Sequence, residues 1–174
     1  ALTAFEKATA IFPNFPEAWR WQGISLSNLG QDSEAVIAYK YAIEKNKGFF
    51  AVYSSLAQVL GELKRYPEAL EYYAQAIKLK PTHPLAYFGR GFLYYLMGEK
   101  DKALLDYNQA IIINPQSADG YYFRGHFYRD MGEKDKAILD YNQAIKINPQ
   151  EANAYTGRGF LYYLMGEKDK ALLD

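Results

Sequence analysis

Eighteen residues, Gly89 to Asp106, recur unchanged as Gly157 to Asp174, 68 positions further along the chain. Half of that spacing, 34, brings in a third copy: Arg124 to Asp140 keeps the frame with substitutions, and the segment Tyr107 to Ile111 returns as Tyr141 to Ile145. A fixed period of this length belongs to chains built from stacked supersecondary units, none of which can bury its apolar face alone. The chain therefore has to be read repeat by repeat.

With Pro115 and Pro149 set as repeat position 32, one frame runs through all 174 residues without insertion or deletion. Full repeats span 16–49, 50–83, 84–117 and 118–151, preceded by a half repeat at 1–15 and followed by an incomplete one at 152–174, so the expected organisation is a single solenoid over 1–174. Position 4 is always aromatic (Trp19, Tyr53, Tyr87, Tyr121, Tyr155), and position 8 is always small (Gly23, Ala57, Gly91, Gly125, Gly159). Position 20 is alanine throughout, from Ala1 to Ala171, and position 24 is Phe5, Tyr39, Tyr73, Tyr107 and Tyr141. Small residues suit places where helix backbones approach closely, and aromatics suit the spaces beside the crossings. Glycine at position 15 (Gly30, Gly98, Gly132, Gly166) suits the left-handed residue that ends a helix, with Lys64 the exception.

This pattern resembles the tetratricopeptide repeat family over the whole chain. The resemblance implies an all-α fold, an α-solenoid in which antiparallel helix pairs, A then B, coil into a right-handed superhelix. Eleven helices are expected, the last cut short. It also implies a non-catalytic scaffold whose concave groove, lined by the A helices, holds a peptide segment of a partner protein.

Composition narrows the function from the other side. Lys plus Arg and Asp plus Glu are 20 each, giving a formal net charge of zero, and the balance holds in both halves, so no basic footprint for nucleic acid exists. With 49% hydrophobic and 23% charged residues the chain reads as folded, and its apolar runs are far shorter than the roughly 20 residues that cross a bilayer, so no membrane insertion is expected. Cysteine is absent and the two histidines are His83 and His126, leaving no expected metal site, cofactor or nucleophile. The sequence leaves the cellular compartment open.

At about 100° per residue, positions 4, 7, 8 and 11 of an A helix form one stripe, read as core, while positions 2, 5, 6, 9, 12 and 13 lie opposite. In the first two repeats the opposite stripe is mixed and mild. In the third it is Leu85, Phe88, Gly89, Phe92, Tyr95 and Leu96; in the fifth, Asn153, Thr156, Gly157, Phe160, Tyr163 and Leu164; in the fourth, Asp119, Tyr122, Phe123, His126, Arg129 and Asp130. An apolar row on a face its own helix pair does not cover needs a cover. The candidate anchors are Phe88, Phe92, Tyr95, Leu96, Tyr122, Phe160, Tyr163 and Leu164, with His126, Arg129 and Asp130 fixing the polar groups of a peptide. The alternative is that adjacent A helices bury positions 9 and 13 against each other.

The family's carboxylate-gripping subclass needs paired basic residues at positions 2, 5 and 6, and Arg20 alone meets that requirement. Arginine at position 7 (Arg90, Arg124, Arg158) appears together with aspartate at position 23 (Asp106, Asp140, Asp174), which predicts ion pairs within a repeat or from one repeat to the next. Leu2, Phe5 and Ile11 of the opening half repeat lack their partner helix, so the chain reads as a fragment. Head-to-tail self-association, or service as a recruitment arm of a larger protein, is the second expectation.

Overall fold

The computed structural model of the chain describes residues 2–173, and within them it holds eleven helices and no strand. The A helices are α2 (Pro16–Asn28), α4 (Phe50–Glu62), α6 (Pro84–Leu96), α8 (Ala118–Asp130) and α10 (Ala152–Leu164), each covering positions 1 to 13 of its repeat. The complete B helices are α3 (Asp32–Lys45), α5 (Tyr66–Leu79), α7 (Lys100–Ile113) and α9 (Lys134–Ile147), each covering positions 17 to 30. A partial B helix stands at each end, α1 (Leu2–Ile11) and α11 (Lys168–Ala171). Position 20 of the opening half repeat (Ala1) and position 23 of the last (Asp174) lie outside the described residues.

Local chemistry sets these boundaries. Proline opens α2 and α6, where the first N–H has no helical partner to lose. Between a B helix and the next A helix, Asn46, Asn114 and Asn148 at position 31 turn the chain by accepting from the N–H two residues on, at 3.0, 3.3 and 3.1 Å. Ser117 caps α8 by accepting from the Gly120 N–H. Between A and B, Gly30, Gly98, Gly132 and Gly166 take φ of 73° to 79°. Lys64 takes φ of 59° at the same position and makes the same closing bonds, Lys64 N–H to Gly61 O and Arg65 N–H to Leu60 O.

The chain forms two compact units, Ala1–Leu93 and Tyr94–Asp174, whose boundary falls inside α6. In the first, α2 packs on α1, α3 and α4, and the core gathers Leu26, Val36, Tyr39, Val52, Leu56, Leu60, Tyr73 and Leu93 around alanines at positions 20 and 27. Leu2 packs against this core and Phe5 stacks on Trp21, so α2 covers two residues expected to face a missing helix; Ile11 stays exposed. In the second unit α8 packs on α7, α9 and α10 around Tyr141, Ala137, Ala144, Ala154 and Leu161.

The A helices bury more than the stripe of positions 4, 7, 8 and 11. Position 3 (Ala18, Val52, Ala86, Gly120, Ala154) is buried in every repeat, and position 10 is buried in four (Val59, Leu93, Phe127, Leu161). These positions sit about 80° to 100° round from position 2, on a flank. A helices also touch directly, α2 with α4 and α8 with α10. A helix packed on three sides buries a wider arc than an isolated pair.

The charged pair of the fourth repeat closes within that repeat. Arg124 donates through Nε and Nη2 to the two oxygens of Asp140, both at 2.7 Å, with side chains 19% and 7% exposed. Its remaining nitrogen donates to Asn108 Oδ1 on the preceding B helix, 2.6 Å away. Arg158 makes the matching bond to Asn142, while its repeat's aspartate, Asp174, lies outside the described residues. This is structural chemistry: removing the carboxylate leaves a largely enclosed cation. Asp140→Ala is expected to destabilise the fold by about 3 kcal/mol or more, and replacing both partners by leucine by less, as read by urea unfolding. Lys64→Gly relieves a side chain held at positive φ and is expected to stabilise by about 1 kcal/mol, a rise of a few degrees in melting temperature.

Candidate functional site

Positions 5 and 12 lie about 60° to 80° from position 2 on the side away from positions 3 and 10, and they form the other flank of the A helix. They are half-buried or buried in all but the last repeat. Only positions 2, 6, 9 and 13 point squarely outward, which divides the candidate residues into two groups.

In the first unit, Phe88 at position 5 is buried, with 9% of its surface exposed. It is a packing residue and not an exposed anchor, contrary to its place in the candidate row. Phe92 at position 9 is 48% exposed and Leu85 at position 2 is 63% exposed. In the second unit Leu96, Phe160 and Leu164 are each about half exposed and Tyr163 more so. Positions 9 and 13 of these repeats are therefore about half exposed. Phe123 at position 6, absent from the candidate set although its row named it, is 45% exposed and lies 5.3 Å from the half-buried Tyr122 ring.

The polar candidates converge in the second unit. The Tyr95 hydroxyl donates a short hydrogen bond to Asp130 Oδ2. Arg129 Nε donates to Asp130 Oδ1 at 2.9 Å, and its Nη2 lies 2.7 Å from His126 Nε2. With Nε2 accepting, the imidazole proton sits on Nδ1, which is 3.4 Å from Asp130 Oδ2. Tyr122 borders the cluster, its ring edge-on to His126 at 6.3 Å, and Tyr95 lies edge-on to Phe127 at 6.0 Å.

The cluster shifts its own titrations. Burial pushes Asp130 upward, but the hydrogen bonds from Tyr95 and Arg129 and the Arg129 charge outweigh it, and the carboxyl stands below its ordinary range. Burial and the Arg129 charge lower His126, against a smaller opposing pull from Asp130. The bond to Asp130 raises the Tyr95 hydroxyl. Among the described residues no group of three or more His, Asp or Glu side chains could hold a metal, and no helix is long and apolar enough to cross a membrane. A shallow depression of about 620 Å³, lined by Gly132 to Asp135 with Leu164 and Met165, lies at the α8–α9 turn rather than at the polar cluster.

Sequence comparison identifies the repeats. A "TPR repeat" family model matches residues 61–98 and 125–166, and a "Tetratricopeptide repeat" model matches 84–117. Together they cover more than half of the chain, which belongs to the tetratricopeptide repeat family. Anaphase-promoting complex subunit 3 of Schizosaccharomyces pombe is 27% identical over 104 residues, 60% of this chain and 16% of that protein. The chain thus spans about a sixth of that relative's length. Among solved structures, MamA aligns with a TM-score of 0.72 at 29% identity over 86% of this chain and 88% of MamA. The APC/C hetero-tetramer Cut9–Hcn1 aligns with a TM-score of 0.84 at 22% identity over 98% of this chain and 34% of that one. These likenesses establish the helical solenoid fold.

Asp130 and His126 both have folded pKa values below their unfolded ones, so each contributes stability that is present above its unfolded pKa and lost as pH falls through the folded one. His83, lowered by burial and Lys80, acts in the same direction. Stability is expected to fall first below about pH 6.5 and again below about pH 4. His126→Gln should shrink the first step and, because the His126 charge is the smallest contribution to the lowering of Asp130, change the second little, as measured by denaturant midpoints across pH.

Proposed function

We propose that this chain is a non-catalytic protein-interaction scaffold and that the A-helix face of its second unit binds an apolar peptide segment of a partner. The observation that carries the reading is the half-exposure of Phe123, Phe160, Leu164 and Leu96 on outward rows of the A helices. Large apolar side chains left open on ordered helices gain free energy when a partner covers them, about 1 kcal/mol for each half-covered ring. The polar cluster supplies orientation: Arg129 and the Tyr95 hydroxyl are already tied to Asp130, and His126 to Arg129, so a bound segment meets fixed dipoles instead of mobile charges. Membership in a family of interaction modules supports the coarse reading, as does a relative named as a subunit of a multiprotein complex.

Affinity purification from the source cell, followed by mass spectrometry, supplies the partner. Phe160→Ala combined with Tyr163→Ala is then expected to lower its affinity at least about 30-fold, the effect of losing interface hot spots, with helicity unchanged by circular dichroism. Wild-type affinity in a fully helical double variant overturns the assignment.

A further inference from the structure

The turns that join each B helix to the next A helix differ in kind between the two units. In the second unit they are Asn114-Pro115-Gln116-Ser117 and Asn148-Pro149-Gln150-Glu151, polar and without lysine. In the first unit the opening turn is Phe12-Pro13-Asn14-Phe15, and its two rings are 63% and 52% exposed. The later turns of that unit hold or adjoin Lys45, Lys47, Lys78 and Lys80, all exposed. Lys45 is paired with Glu44, whereas Lys47, Lys78 and Lys80 make no ion pair among the described residues.

Contacts tie these turns into one edge. Trp19 Nε1 donates to Pro13 O at 2.8 Å and its ring stacks on Tyr41, which pins the first turn to α2 and α3. In the second turn, Phe49 lies beside Arg20 of α2. The next residue, Phe50, meets the third turn: Lys80 Nζ stands 4.6 Å from its ring centre and the His83 ring lies edge-on at 5.0 Å. Leu85, just past that turn, is among the most open leucines of the ordered helices.

The edge therefore combines apolar tips in a turn that carries no charge with free cations along the turns beside it. An acidic protein would answer the lysines and leave the phenylalanines in water. A bilayer with anionic lipids answers both, because phosphate headgroups lie directly above acyl chains and no matching shape is needed. Lysine stems lie along apolar surface while their ammonium groups reach the headgroups. The prolines and the Trp19 bond hold the first turn before anything binds, which reduces the ordering lost on association. We infer that this edge of the first unit, with Phe12, Phe15 and Leu85 as apolar tips and Lys47, Lys78 and Lys80 as cations, docks on the surface of an anionic phospholipid bilayer. The contact is peripheral, and it does not depend on the apolar face of the second unit.

The test is sedimentation of the chain with vesicles of phosphatidylcholine alone and with vesicles that include about 30% phosphatidylserine. Binding is expected to the anionic vesicles only, and it should weaken as salt rises. Phe12→Ala with Phe15→Ala, and separately Lys47→Gln with Lys78→Gln, should each weaken it about tenfold or more with helicity unchanged, since neither signal suffices alone. Leu105→Ser with Leu139→Ser, at exposed positions on B helices of the second unit, should bind as the parent does. In Phe12→Trp, emission should be quenched by lipids brominated in their acyl chains. The inference is overturned if the anionic vesicles do not sediment the chain, or if phosphatidylcholine alone does so equally. It is also overturned if either first-unit pair keeps parental affinity, or if the Leu105 and Leu139 pair loses as much. Soluble polyglutamate is titrated alongside, and tighter binding to it than to the vesicles would assign the edge to an acidic protein instead.

Discussion

The spacing of the helices rests on one steric fit, the position-24 tyrosine ring lying against helix backbone that carries no side chain. A Cβ built on Gly23 would stand 2.7 Å from the Tyr39 ring, one on Gly125 3.0 Å from Tyr141, and one on Gly157 2.7 Å from the far edge of that same Tyr141 ring. In the first unit a Cβ on Gly89 would meet the Tyr73 hydroxyl at 2.2 Å. These rings are at most 5% exposed and cannot swing aside. Glycine in a helix interior costs about 1 kcal/mol relative to alanine. Burial of a whole aromatic side chain exceeds that. The fit also shapes the outward surface: Gly89 and Gly157 at position 6 leave room for the ring below. Where position 6 is Phe123, the Tyr107 ring lies edge-on to Phe127 at 5.7 Å.

Position 7 adds a polar link to this steric frame. Gln22 accepts from Thr9, Arg124 donates to Asn108 and Arg158 to Asn142, so in three repeats the same position reaches back to the preceding B helix. Only where the residue is arginine does aspartate accompany it at position 23, because an enclosed guanidinium needs an anion and an amide does not. Such a pair adds little net stability over an apolar one. Its paired hydrogen bonds define the register between an A helix and the B helix of the same repeat more narrowly than contact between leucines does.

The 34-residue frame made the number of helices readable, and proline and glycine marked where they start and stop, because each acts within one turn of chain. Even Lys64 kept the left-handed geometry once neighbouring repeats imposed it. The binding face was less legible. A helical wheel treats each helix alone, and so it placed Phe88 outward with Phe92, although position 5 lies on a flank of the helix and Phe88 is buried. It left positions 3 and 10 out of the core for the same reason. The link from Tyr95 to Asp130 joins position 12 of one repeat to position 13 of the next, a relation that no single-helix period contains. Arg20 was visible in sequence only as an incomplete charge set; that its Nε is enclosed is something spacing cannot show.

Identical sequence does not produce identical chemistry along such a frame. Tyr95 and Tyr163 belong to the repeated eighteen-residue segment, yet the Tyr95 hydroxyl is tied to Asp130 while the Tyr163 side chain is 62% exposed. What differs is the residue that a neighbouring repeat brings alongside. Arg129 and Arg20 make the same point for charge. The first is paired with the adjacent Asp130 and lies against His126, and the second lies over the Trp21 ring. The backbone frame therefore fixes where side chains can meet, and substitutions at a few outward and flanking positions decide what they recognise. In a repeat fold most of those positions can change without disturbing the glycine and tyrosine contacts beneath them.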